Sequence, residues 1–172
     1  ECIIKNQHDD GYLGGYPKED EWQKFSVWNQ TFTVCGLMSY YKATKRKRAL
    51  AAAEKCSKNI AFHYMAEKDD IMDALNDGTQ NASFLLTLPE LYDITDDVVY
   101  AEFIRYIIKR LKNSGNNFFD FESIFDLRSK KGIENFIILI GMLFYYCDSN
   151  DYECLYGAKK YWEELNSTQI RR

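Results

Sequence analysis

Apolar positions along this chain recur with the period of helices. Tyr100, Phe103, Ile104, Ile107, Ile108 and Leu111 fall at i, i+3, i+4, i+7, i+8 and i+11, the stripe of an amphipathic helix with one buried face. Asp96 and Asp97 precede it, where carboxylates favour a helix start. Ala49, Ala52, Ala53, Cys56 and Ile60 form a similar stripe of small residues, which lets a neighbouring helix approach closely. Three further stretches, about 27–44, 80–94 and 132–147, are apolar nearly all round, as expected of an inner layer covered by an outer one. No segment alternates like a strand.

The pattern repeats. The stretches "SYYKATKRKRALAAAEKCSKNI", "PELYDITDDVVYAEFIRYIIKRL" and "LFYYCDSNDYECLYGAKKYWEEL" each carry the end of an apolar helix, a short polar turn and a second amphipathic helix. Their tyrosines, Tyr41, Tyr92 and Tyr146, are offset by 51 and then 54 residues, a spacing suited to helical repeats. The sequence therefore predicts an all-α fold of about three antiparallel hairpins, inner limb first, in a single domain over residues 1–172. The irregular segments 1–25, 65–78 and 113–131 all precede inner helices. They are expected to gather on one rim, where loops on a rigid scaffold commonly carry function.

Composition narrows the function. The net charge of −4 argues against a nucleic-acid binder. The charge is unevenly spread, with eight Lys/Arg against two acids over 42–68 and twelve acids against four basic residues over 69–126. The densest basic run, "KRKR" at 45–48, has no interleaved aromatic and reads as a solvated turn. The longest apolar run, "FIILIGMLFYYC" at 136–147, is too short to span a membrane. Five cysteines form no CxxC pair, and His8 and His63 lack metal-ligand spacing, so free thiols, no metal and no cofactor are expected. Cytoplasm and export both remain open.

The rim segments carry a resemblance. "QHDDGYLGGY" at 7–16, "EDEW" ending at Trp22, "VW" at 27–28 and "GLMSYYKATKRKRAL" from Gly36 are similar to glycoside hydrolase family 127, the β-L-arabinofuranosidase-like proteins. "NASFLLTLPELYDITDDVVYAEFIRYII", "KGIENFIILIGMLFYY" and "YWEELNSTQI" continue that resemblance in order. It implies an (α/α)6 barrel, of which three hairpins are half. It also implies a carbohydrate ligand. In that family a zinc held by cysteines and a glutamate, with one cysteine as nucleophile and another glutamate as acid/base, lies further along the chain. The expectation is thus a fragment or truncated relative that supplies substrate contacts without catalytic residues. The alternative is a non-catalytic helical-repeat module that binds or scaffolds and self-associates. A homo-oligomer or a missing C-terminal half would cover its inner layer.

Candidate ligand contacts follow. Asp10 and Tyr12 place a carboxylate beside a ring, which suits sugar recognition, although glycines at 11, 14 and 15 also suit a turn capped by Asp10. Trp22 is a further candidate. Trp28 reads more readily as a lid on the core. Gln30, in "VWNQ", and Asn76, in "NDGT", stand where the resemblance expects other polar groups. Glu134, at the start of the third inner helix, suits ligand contact or helix N-terminal stabilisation equally. The adjacent acid pairs at 9/10, 69/70 and 96/97 cannot supply two carboxyls facing each other across a glycosidic bond, ~5 Å apart for retention or ~6.5–9.5 Å for inversion.

Overall fold

The structure, a computed structural model, describes residues 2–23, 25–73, 79–115, 118–127 and 131–168. After a short helix α1 (Cys2–Lys5), three antiparallel hairpins follow in order. They pair α2 (Ser26–Thr44) with α3 (Lys47–Met65), α4 (Leu88–Thr95) with α5 (Val98–Asn113), and α6 (Gly132–Ser149) with α7 (Tyr152–Thr168). No strand occurs among the described residues, and the all-α class and the hairpin order are as expected.

The repeat seen in the sequence has a geometric basis. Each hairpin's first helix ends in a left-handed residue: Lys45 (φ 57°), Asp96 (φ 56°) and Asn150 (φ 58°). Their N–H groups donate to the carbonyls of Tyr41 (2.7 Å), Tyr92 (2.8 Å) and Tyr146 (2.8 Å). The repeated tyrosines are therefore the acceptors of the helix-ending bond. One residue before each left-handed position stands a hydroxyl. Thr44, Thr95 and Ser149 each donate at 2.7 Å to the carbonyl four residues back. They also accept from the N–H two residues ahead, at 3.3, 3.3 and 3.2 Å. One local device thus stops the inner helix and launches the outer one, three times.

The middle inner limb departs from expectation. Instead of one helix over 80–94, a 3-10 turn at Asn81–Leu86 precedes α4. Pro89 explains the break, because it lacks the N–H an α-helix would need there and is tolerated only in the first turn. The 3-10 turn lies between α2 and α6. Its Leu85 packs so closely on α6 that a Cβ at Gly141 would stand 2.6 Å from it.

The predicted core stripe of α5 is fully buried, from Tyr100 to Leu111, as are Ala49, Ala52, Ala53, Cys56 and Ile60 on α3. Large apolar side chains buried in this way contribute about 1.5–3 kcal/mol each. α5 is the central outer helix, touching α3, α4 and α6. Lysines on two outer helices, Lys58 within α3 and Lys112 near the end of α5, bind the start of the next, at Asp97 (2.7 Å) and Asp151 (2.5 Å).

Each rim segment is strapped to the outer helix of its own hairpin. Gln7 donates to the Ala52 carbonyl at 2.9 Å, and Arg110 pairs with Asp70. Glu164 accepts from the Ser123 hydroxyl at 2.5 Å and the Ile124 N–H at 3.0 Å. These straps return the chain to the end where the inner limbs begin.

Candidate functional site

The inner-limb starts meet at one rim. Lys131, just before α6, lies 3.3 Å from the Glu134 carboxylate and 5.6 Å from the ring centroid of Phe25, which precedes α2. Thr79, before the middle limb, donates to Glu134 at 2.7 Å. Trp22 stacks flat on His63 at the end of α3, with centroids 3.6 Å apart and 7° between planes. His63 Nε2 lies 2.6 Å from Asp69, and the neighbouring Tyr64 hydroxyl accepts from Asn81 at 3.0 Å.

The glycine-rich segment folds around one lysine. Asp10 accepts from the Tyr12 N–H at 3.0 Å and pairs with Lys18, which also pairs with Glu21. Glu21, 4% exposed, further accepts from Asn59 at 2.6 Å. Lys18 lies 5.0 Å over the Tyr12 ring. Burial works against the Asp10 charge, yet the Lys18 ammonium and the Tyr12 N–H outweigh it and hold the carboxyl below its ordinary range. Burial likewise opposes charge on Lys18, and its two carboxylate partners lift its ammonium above the lysine value. Gly11 permits this path because its φ is +109° and a Cβ there would sit 2.4 Å from the Lys55 carbonyl oxygen.

The candidate residues separate into two groups. Asp10 is exposed, and Trp22 and Trp28 are partly buried with their rings at the edge of the core. Tyr12, Gln30 and Glu134 are buried, each at 1% exposure or less. The Tyr12 hydroxyl donates to the Tyr16 carbonyl at 2.7 Å, and its ring is buried behind the glycine-rich segment. Gln30 accepts from the Cys56 thiol at 3.5 Å inside the hairpin. Glu134 occupies the first turn of α6, the helix-stabilising position, and also braces Thr79. Asn76 lies outside the described residues.

Sequence reasoning missed several participants. Lys18 and Glu21 stand at i, i+3, a spacing that signals a pair on one turn. Phe25 and Phe32 share one face of the α2 start with the candidate Trp28, whose ring lies 5.0 Å from that of Phe32; the 25/28/32 spacing was the signal. Nothing in the sequence pointed to Lys131 reaching Phe25 across the rim.

The family model of the β-L-arabinofuranosidase GH127 catalytic domain matches residues 1–170. The chain belongs to that family. No curated protein and no solved structure matches it. Membership makes the protein glycoside hydrolase-like.

The zinc and cysteine chemistry that this family implies can be tested against the thiols. Among the described residues, no three His, Cys, Asp or Glu side chains come together as a metal site. Burial pushes the Cys56 and Cys154 thiols up to about 12, so both stay protonated at neutral pH. Cys35 is raised in the same direction, again by burial. A zinc ligand or nucleophile needs thiolate. The described residues do not fit the group.

Proposed function

We propose that this chain forms the substrate-side rim of a glycan cavity, orienting a sugar without itself cleaving the bond. The observation that carries this reading is Lys131, which draws the α2 and α6 starts together and leaves aromatic and charged groups on one rim. A sugar presents hydroxyls and an apolar C–H face. Asp10 supplies an acceptor for hydroxyls, and Trp22, Phe25 and Trp28 supply aromatic rings, one face of Trp22 being stacked on His63. Such sites combine a few placed polar groups with an aromatic lining. Tyr12, Gln30 and Glu134 act from behind, holding Lys18, α2 and the middle limb in place.

The test is Asp10→Asn, which keeps an oxygen for the Tyr12 N–H and removes the charge. Isothermal titration with a β-L-arabinofuranosyl oligosaccharide should show binding weakened about tenfold, worth about 1.4 kcal/mol, with the melting temperature nearly unchanged. Unchanged affinity would leave Asp10 as a turn cap and overturn its place in the site.

A further inference from the structure

Two rim segments meet on a single ring, that of His63 in the last turn of α3. The helix closes on a left-handed residue, Glu67 (φ 54°). The Glu67 N–H donates to the Tyr64 carbonyl at 3.0 Å, and the Lys68 N–H to that of His63 at 3.4 Å, the paired closing bonds of a Schellman turn. Beyond that turn the second rim segment brings the Asp69 carboxylate to His63 Nε2. The first rim segment lays Trp22 flat on the same imidazole. The Tyr64 ring meets both rings edge-on, with centroids 5.9 Å from Trp22 and 5.1 Å from His63.

We propose that His63 is a pH-sensitive clamp, which on gaining a proton tightens on Asp69 and Trp22 and locks both rim segments to α3. Three neighbours suit an imidazolium here. Asp69 supplies the opposite charge at 2.6 Å. The indole face of Trp22 attracts a stacked cation. The C-terminal turn of α3 presents the negative end of its dipole. His63 is 8% exposed, and burial disfavours its charge, so these three partners are what offset that cost. A neutral imidazole keeps the stack but loses the ion pair and the attraction of a cation to the ring.

Other charged and titratable groups line this corner. Glu21, beside Trp22, is held by Lys18 and by Asn59, one turn before His63 on α3. Glu67, Lys68 and Asp70 flank Asp69 in the second segment, and Asp70 is held by Arg110 of α5. The hydroxyl of Tyr106, also on α5, bears on Tyr64. Glu21 and Asp70 thus have partners elsewhere, and Asp69 is the carboxylate bonded to His63. Trp22 is also one of the rings offered to a sugar, a link that rests on the function proposed above; the clamp itself does not.

Tryptophan emission tests the clamp with no sugar present, so failure of the glycan reading leaves its result intact. A histidine ordinarily changes charge between about pH 5 and 8, and an imidazolium stacked on indole quenches emission more than neutral imidazole does. Emission from the 172-residue chain should therefore fall between about pH 8 and pH 5. His63→Gln keeps an N–H for Asp69 but cannot take the charge, and should abolish the fall. Asp69→Asn should shrink it, and with that side chain 56% exposed the fold tolerates the change. His8→Gln should leave the fall intact, since the ring contact of His8 is with Tyr12. Trp22→Phe, with Trp28 and Trp162 still emitting, should abolish it and replaces His63→Gln if circular dichroism shows that variant unfolded. Wild-type emission that stays flat over this range would overturn the clamp, as would a fall that survives His63→Gln or Trp22→Phe.

Discussion

At the turn end of the row, one four-residue device is used three times, and every bond in it lies within four residues of its partner. At the rim, three segments of different length and composition reach the same end by different contacts, most of them between residues forty or more apart. Local devices tolerate substitution because each carries its own small share of stability. Long-range straps concentrate their effect, since one displaced backbone segment takes several partners with it. The rim should therefore be the sensitive end and the turns the robust one.

The sharpest way to break that comparison is Gly11→Ala. The substitution forces a side chain onto a backbone at φ +109° and drives Cβ to 2.4 Å from the Lys55 carbonyl oxygen. The two nearest atoms, the carbonyl oxygen and carbon of Lys55, are backbone and do not yield easily. Adding backbone strain to overpacking, urea denaturation should show a loss of roughly 3 kcal/mol. Gly15→Ala is the matched control, because nothing lies within 4 Å of its Cβ, and should change stability by less than about 0.5 kcal/mol. Equal effects at the two positions would mean that the rim segment is not strapped to α3.

The second test asks whether the turns are truly equivalent. Thr44→Val, Thr95→Val and Ser149→Ala each delete a hydroxyl that donates to one carbonyl and accepts from one N–H. Each should cost about 0.5–1.5 kcal/mol, with Thr95 the most costly because it alone is partly buried. A loss at one turn matching that of Gly11→Ala would show that the turns do not share the load.

The same contrast explains what could be read without a structure. The α5 stripe, the alanine stripe of α3 and the tyrosine-marked turns were all legible, because periodicity and short-range capping are written in adjacent residues. The break before α4 depended on Pro89 and was legible in principle. The rim was legible only as a location. Asp10 and Trp22 stand at its surface, but Tyr12 and Gln30 have the composition of ligand contacts and the burial of core residues. That difference is decided by partners such as Tyr16 and Cys56, and side-chain direction in an irregular segment has no period to reveal it. Lys131 joining Phe25 spans more than a hundred residues, far beyond any window of sequence reasoning.

The smallest effect is the most discriminating for the turn device. Lys45, Asp96 and Asn150 share one left-handed conformation within 2° of φ, yet side chains differ in what that conformation costs them. A lysine has no local hydrogen bond to offset the steric penalty of about 1–2 kcal/mol, whereas Asn and Asp visit the region more readily. Glycine removes the penalty but gives back part of the gain through the greater freedom of the unfolded chain. Lys45→Gly should therefore stabilise the protein by about 0.5–1 kcal/mol, Asp96→Gly by less, and Asn150→Gly by almost nothing. Thermal unfolding of the three variants side by side reads that order directly. The reverse order would mean that the turns differ in backbone strain, and that the likeness of the three hairpins stops at their hydrogen bonds.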